Sequence, residues 1–276
     1  MRIDAHQHFW SLARGDYGWL TETLAPIYRD FLPDDLSPLL AQAGIEGTVL
    51  VQAAPTVAET TFMLSLAAEH DFIKGVVGWV DFDAADAPYQ IETLAADAAL
   101  VGLRPMIQDI ADPDWMLGDA LTPAFEALVA QDLTFDALTL PPHLGNLRKL
   151  LKRHGDMRVV IDHASKPYIR DGEIAGWAED MTALAQETQA FCKLSGMVTE
   201  AAEDWRTEDL RPYVDHLLTT FGPERLIWGS DWPVCTLASS YARWLETTDA
   251  LLSDLSDTDR AAILGGNAAR AYNFRE

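Results

Sequence analysis

The chain is short of cations, of cysteine and of long apolar runs, and each shortage excludes something. Only 20 lysines and arginines stand against 43 acidic residues, a formal net charge of −23 with a pI near 4.4. A field of that sign repels phosphate backbones and anionic lipid surfaces, so it argues against nucleic-acid and membrane partners. The two cysteines, Cys192 and Cys235, lie in apolar stretches and are too few for a disulfide framework. No apolar run approaches the ~18 residues of a membrane span, and MRIDAH lacks the apolar stretch of a secretory signal. A cytoplasmic location is the expectation. No G-x-G-x-x-G follows the first β-rich run, so nothing there cradles a pyrophosphate. Fixed-period repeats and low-complexity segments are missing too.

What is present is alternation. The 276 residues, 49% of them hydrophobic, match the size at which an α/β barrel runs as one domain and can bury a substantial core. Eight β-rich runs recur, at 2–6, 47–52, 74–80, 99–108, 133–138, 158–163, 190–195 and 225–230. Helical stretches separate them, near 33–44, 56–70, 86–98, 119–131, 143–154, 174–187, 207–221 and 239–253, with two short ones near 257–264 and 266–272. Thr56 followed by Glu59 has the spacing of a capping box. The pattern predicts a single (β/α)8 TIM-type barrel domain spanning 1–276. Residues 7–33 are long for a connection and hold Phe9, Trp10, Tyr17, Trp19, Tyr28 and Phe31. Such aromatic content argues for an ordered loop across the barrel top.

Barrel enzymes carry their chemistry at the C-terminal ends of the strands. Read in order, those ends offer His6 and His8, Gln52, Trp79 or Asp81, Arg104 and Gln108, Asp136, His163, Lys193 or Ser195, and Asp231. His6 and His8, two apart on a strand, point the same way about 6.6 Å from each other. A lone strand-end histidine is usually a satisfied structural group; the pair together with His163 and Asp231 is harder to dismiss. Asp231 has a bland reading as a turn cap, with Gly229 permitting a sharp turn and Pro233 ending it. Lys166, just before Pro167, is either a loop cation or a site residue. His70 and His154 read as helix C-terminal residues complementing the dipole, and His216 as surface or packing. His143 is left outside the site.

The motifs DAHQHFW, VGWVDF, LVGLRPMIQD, FCKLSGMVTEA, RPYVDHLL, LIWGSDWPV and YARWL resemble the amidohydrolase superfamily, and within it the sugar-lactonase branch of L-fuconolactonases, L-rhamnonolactonases and pyrone-dicarboxylate lactonase. The resemblance covers nearly the whole chain. It implies that His6 and His8 are the family's first-strand histidines, His163 its fifth-strand histidine and Asp231 its eighth-strand aspartate. Binuclear members carry a lysine or glutamate after the fourth strand and a histidine after the sixth, where this chain reads LRPMIQ and CKLSG. One metal site is therefore the most it implies. Many lactonase relatives also read Arg-His where this chain has Arg104-Pro105.

The implied activity is hydrolysis of a sugar lactone, of L-fucono- or L-rhamnonolactone type, to the open acid. Asp231 is the candidate base and His163 the second catalytic residue. His6, His8, His163 and Asp231 either share one divalent ion, zinc by donor type, or act without metal by donating hydrogen bonds to the lactone carbonyl. Gln52, Arg104, Gln108 and Lys166 are candidate contacts to the substrate, with Trp232, Trp10 or Trp19 stacking on its ring. A lactone isomerase, a metal-dependent decarboxylase and a non-catalytic sugar-acid binding protein stay open as alternatives, and so does a homodimer.

Overall fold

The computed structural model describes residues 1–274. Eight parallel strands follow one another in sequence order around a single sheet. They are β1 (Ile3–Gln7), β2 (Gly47–Val51), β3 (Ile73–Gly78), β4 (Leu100–Leu103), β5 (Thr134–Ala137), β6 (Val159–Ile161), β7 (Phe191–Leu194) and β8 (Leu226–Trp228). The covering helices are Pro33–Ala43, Val57–Glu69, Ala87–Ala95, Thr122–Ala130, Leu144–Arg153, Ala175–Glu187, Thr207–Phe221 and Tyr241–Leu251. The architecture is the expected (β/α)8 barrel. No helix among the described residues is long and apolar enough to cross a membrane.

Strands buried on both faces need nearly continuous apolar runs, which VVI in β6 and LIW in β8 supply. A cluster of Ile3, Val49, Val77, Val101, Val160 and Ile227 draws on six strands, which meet only inside the ring, while the larger apolar cluster joins the sheet to its helices. The strands are shorter than their sequence runs. β4 stops at Leu103 rather than at 108: Pro105 has no N–H to give to a ladder, and Ile107–Asp109 turns as a 3-10 helix. His163 follows β6, not the fifth strand to which the resemblance assigns it, and CKLSG belongs to β7. The strand end without a histidine is thus that of β5.

The ring closes between β1 and β8 at the site itself. Asp231 N–H donates to the His6 carbonyl (2.8 Å) and His8 N–H to the Trp232 carbonyl (2.7 Å). The buried Asp4 carboxylate accepts from Ser230 N–H (2.8 Å), His6 N–H (3.2 Å) and the Tyr241 hydroxyl (3.0 Å). Gly229 works here by close approach rather than as a sharp turn, since a Cβ on it would lie 2.6 Å from His6 Cβ.

The loop after β1 is ordered, as its aromatics predict. Trp10 and Phe31 exchange both backbone hydrogen bonds, and Trp10 Nε1 donates to the Arg29 carbonyl (2.8 Å). Trp19 Nε1 reaches across to the carbonyl of Ala53, beyond the end of β2 (2.7 Å). The capping box forms by half: Thr56 Oγ1 accepts from Glu59 N–H, but the Glu59 carboxylate turns to Ala53 and Ala54 N–H instead of Thr56.

Candidate active site

Four of the predicted side chains meet over the barrel mouth. His6 Nε2 lies 3.2 Å from His8 Nε2 and 3.7 Å from Asp231 Oδ1, and His8 Nε2 lies 3.3 Å from the same oxygen. The rings of His6 and His163 pack at 4.4 Å between centroids. One ligand atom each from His6, His163 and Asp231 falls within 4.8 Å of the other two.

The histidine protons follow from the partners. His8 Nδ1 faces the Val51 carbonyl at 2.7 Å, an acceptor only, so it carries the hydrogen and, in the neutral ring, Nε2 turns a lone pair to the cluster. His163 Nδ1 faces Ser195 Oγ at 2.9 Å, and a hydroxyl satisfies either tautomer. At His6, the Lys193 ammonium (3.2 Å) and Asp162 (3.5 Å) both face Nδ1, while the Arg104 guanidinium, a donor only, faces Nε2 (3.3 Å), which favours the lone pair on Nε2 and the proton on Nδ1 toward Asp162.

His163 and Lys166 reach the site on an unusual piece of backbone. His163, Ala164, Ser165 and Lys166 all lie in the left-handed region, with φ of 52°, 50°, 57° and 51°. Such a conformation costs an L-residue roughly 1–2 kcal/mol and is rarely sustained beyond one residue. Tertiary contacts hold it: Trp177 Nε1 donates to the Ala164 carbonyl (2.7 Å), and Thr139 and Ser165 share a hydrogen bond (2.6 Å). Gly196 leaves room for the ring, because a Cβ there would sit 2.5 Å from His163 Nδ1. Asp231 is also left-handed, with φ 58°.

Beneath the cluster runs a buried ion network. Lys193 Nζ bridges Asp136 (2.6 Å) and Asp162 (2.8 Å), Arg104 reaches Asp162 (3.1 Å), and the Tyr272 hydroxyl donates to Asp136 (2.8 Å). Burial, reinforced by Lys193, drives the His6 pKa well below the ordinary value. Burial likewise lowers His163 to about 4. Burial alone would raise Asp231, but the facing His163 and the 3.3 Å contact with His8 outweigh it and hold the carboxyl well below its usual range. At neutral pH Asp231 is ionised while His6 and His163 are uncharged. Two imidazoles and one carboxylate, from His6, His163 and Asp231, converge closely enough to fit a single zinc-like ion, with His8 Nε2 beside them at 3.3 Å from Asp231.

Over the cluster lies a cavity of about 230 Å³. His8, His163 and Asp231 face it, and Arg104, Gln108, Lys166 and Trp19 stand in its wall. Gln108 Oε1 is buried without a protein partner. Gln52 is turned away from that wall: its Oε1 accepts from Arg104 Nε (3.2 Å) and Nη2 (2.8 Å), and its carbonyl takes a further Arg104 bond. Trp232 is buried against Phe9 and Phe31 rather than lining the cavity. Pro105 lines a neighbouring cavity instead. His143 stays outside, accepting from Leu140 N–H, and His70 and His154 terminate helices as expected. Ala53, Met106, Asp109, Leu138 and Val234, none of them expected from the strand ends, complete the wall. The signal for Asp162 was its place beside His163.

Known proteins carry the same frame. The chain is 46% identical over 277 residues to an L-fucono-1,5-lactonase of Burkholderia ambifaria, covering 99% of this chain and 96% of the relative. It is 38% identical over 298 residues to an L-fucono-1,5-lactonase of Burkholderia multivorans, covering 100% and 97%. A crystal structure of an amidohydrolase from Burkholderia multivorans with bound zinc superposes with a TM-score of 0.93 at 36% identity, all of both chains being covered. The family described as amidohydrolase matches residues 3–274. The chain therefore belongs to the amidohydrolase family.

Proposed function

We propose that this protein, acting as one barrel domain, hydrolyses an aldonolactone of the L-fucono-1,5-lactone type to the open sugar acid. The observation that carries the reading is the convergence of His8, His163 and an ionised Asp231 under a cavity of about 230 Å³ with Lys166 and Gln108 in its wall. That volume lies below the ~300–1,000 Å³ of drug-sized pockets and suits a single sugar ring. The two lactonase relatives, both above 30% identity, support the substrate class.

Lactone opening is acyl transfer to water. Asp231 holds a water against the carbonyl carbon and takes its proton as the new C–O bond forms. A carboxylate with so low a pKa is a weak base toward free water, but attack itself acidifies the oxygen in the transition state. His163, when Ser195 donates to its Nδ1, presents Nε2–H to the developing oxyanion, and the Lys166 ammonium adds charge stabilisation from the wall. As the ring C–O bond breaks, Asp231 returns the proton to the departing oxygen, and the acid product ionises. A single divalent ion held by His6, His8, His163 and Asp231 would polarise the carbonyl and acidify the water. The committed Nδ1–H of His8 favours this loaded form, because neutral His8 cannot donate to the carbonyl.

The test is acid release, read by a pH indicator, over a panel of fucono-, rhamnono-, galactono- and arabinonolactones. Turnover is expected to be fastest on L-fucono-1,5-lactone, and silence across the panel would sink the reading. Ligand-induced stabilisation that survives Asp231→Asn, with no turnover before the change, would mark a binding protein instead. Metal analysis of protein purified without added salts is expected to find one ion per chain and less in His8→Ala.

A further inference from the structure

Six of the nine tryptophans are buried; the other three, Trp19, Trp79 and Trp115, are partly buried and line a single cavity of about 460 Å³. That cavity adjoins the catalytic one, and Trp19, Met106 and Asp109 belong to the walls of both. Trp19 and Trp115 pack on the core with part of their surface and leave the rest to the cavity. Two of the rings are also fixed in orientation, Trp115 by its Nε1 bond to Asp83 (2.8 Å) and Trp19 by its Nε1 bond to Ala53 (2.7 Å).

We propose that this cavity is a second sugar subsite, holding an uncharged glycosyl group attached to the lactone seated in the catalytic cavity. The inference rests on the lactonase reading and extends its substrate class from single aldonolactones to glycosylated ones. Tryptophan faces receive the C–H face of a pyranose, and carboxylates accept from its hydroxyls. Asp81 and Asp109 supply such acceptors, and among the described residues none lining the cavity is basic, which argues against a uronate or phosphate. The shared wall sets the route proposed: a substituent on the lactone ring would pass beside Trp19 and Met106 into the larger cavity. The volume, twice that of the catalytic cavity, admits a full ring.

Two measurements test this. In the first, kcat/KM is compared for glucono-1,5-lactone and cellobiono-1,5-lactone, a pair differing only by one glucosyl group, in the wild type, Trp79→Ala and Trp115→Ala. The wild type is expected to favour the glycosylated lactone at least tenfold. Each variant is expected to lose most of that preference while keeping its rate on the single lactone, glucono- or L-fucono-, within twofold. Equal rates on the pair, or variants that lower both alike, would overturn the subsite. In the second, saturation-transfer NMR on the open product cellobionate reads binding without turnover. Strong signals from the glucosyl ring, lost in both variants, are expected; signals from the aldonate end alone would overturn the proposal. Failure on every single lactone with a saturated glucosyl ring would strike the lactonase reading and leave the second cavity a sugar site.

Discussion

Two layers of charge lie a few ångströms apart in this barrel and are built on opposite rules. In the lower layer, Asp136 and Asp162 face Lys193 and Arg104, two anions against two cations, with Tyr272 bonded to Asp136 and Gln52 to Arg104. In the upper layer, His8, His163 and Asp231 bring nitrogen and oxygen acceptors together at a cavity, and the lower layer's cations touch this cluster at His6, through Lys193 (3.2 Å) and Arg104 (3.3 Å). Full pairing makes the lower layer scaffold, because a buried charge is tolerable only when compensated. Convergent acceptors left open to a cavity are the arrangement that recruits a water, a proton or a metal ion. The same residue types thus serve structure or chemistry according to whether the protein itself completes them.

That division predicts different failures for the two layers. Asp231→Asn should lower kcat by about 10³-fold or more, the upper part of the range for losing a general base, while the melting temperature stays within a few degrees. Lys193→Met should do the reverse. It leaves Asp136 without a cation and Asp162 with Arg104 alone, which costs about 3–5 kcal/mol and lowers the melting temperature by roughly 6–20 °C, with turnover per folded molecule far less affected than in Asp231→Asn. A Lys193→Met protein with unchanged melting temperature and abolished turnover would erase the distinction between the layers.

The sequence carries the upper layer better than the lower one. His6, His8, His163 and Asp231 all stand at strand ends, where barrel topology alone brings them to one mouth, so counting β-rich runs was enough. The lower layer depends on which side chains pair across β4, β5, β6 and β7, and run-counting does not reveal register. Arg104 therefore reads as a contact to sugar hydroxyls, although most of its bonds go to Gln52 and Asp162. The left-handed turn from His163 to Lys166 is equally hidden, because DHASK has no glycine and the bonds that hold it come from Thr139 and Trp177. The missing N–H of Pro105 could have shortened β4 in advance.

Glu59 sharpens the comparison, as a buried carboxylate compensated by backbone dipoles rather than by an ion. It accepts from Ala53 and Ala54 N–H beneath the wall of the catalytic cavity, yet burial outweighs these bonds and raises its pKa from 4.5 to about 7. Between those values the folded state binds more protons than the unfolded chain. This group's stabilisation is therefore complete below about pH 4.5 and is lost as pH rises through about 7. Relative to Glu59→Gln, the wild type should lose on the order of 3 kcal/mol over that interval, at ~1.4 kcal/mol per pKa unit. Urea unfolding at pH 4.5, 6 and 7.5 measures it, and parallel curves for the two proteins would show that the backbone bonds suffice.

The smallest effect separates holding the sugar from opening it. Gln108 stands in the cavity wall with Oε1 buried and unpartnered in the protein, so a sugar hydroxyl that donates to it completes an otherwise costly acceptor. A neutral hydrogen bond of this kind is worth about 0.5–1.5 kcal/mol. Gln108→Ala should accordingly raise KM for the best lactone by roughly 2–10-fold. If the bond is equally strong in the ground and transition states, kcat stays unchanged. A fall in kcat with constant KM would instead place Gln108 on the developing charge, and the border between the sugar-reading wall and the catalytic floor would move to include it.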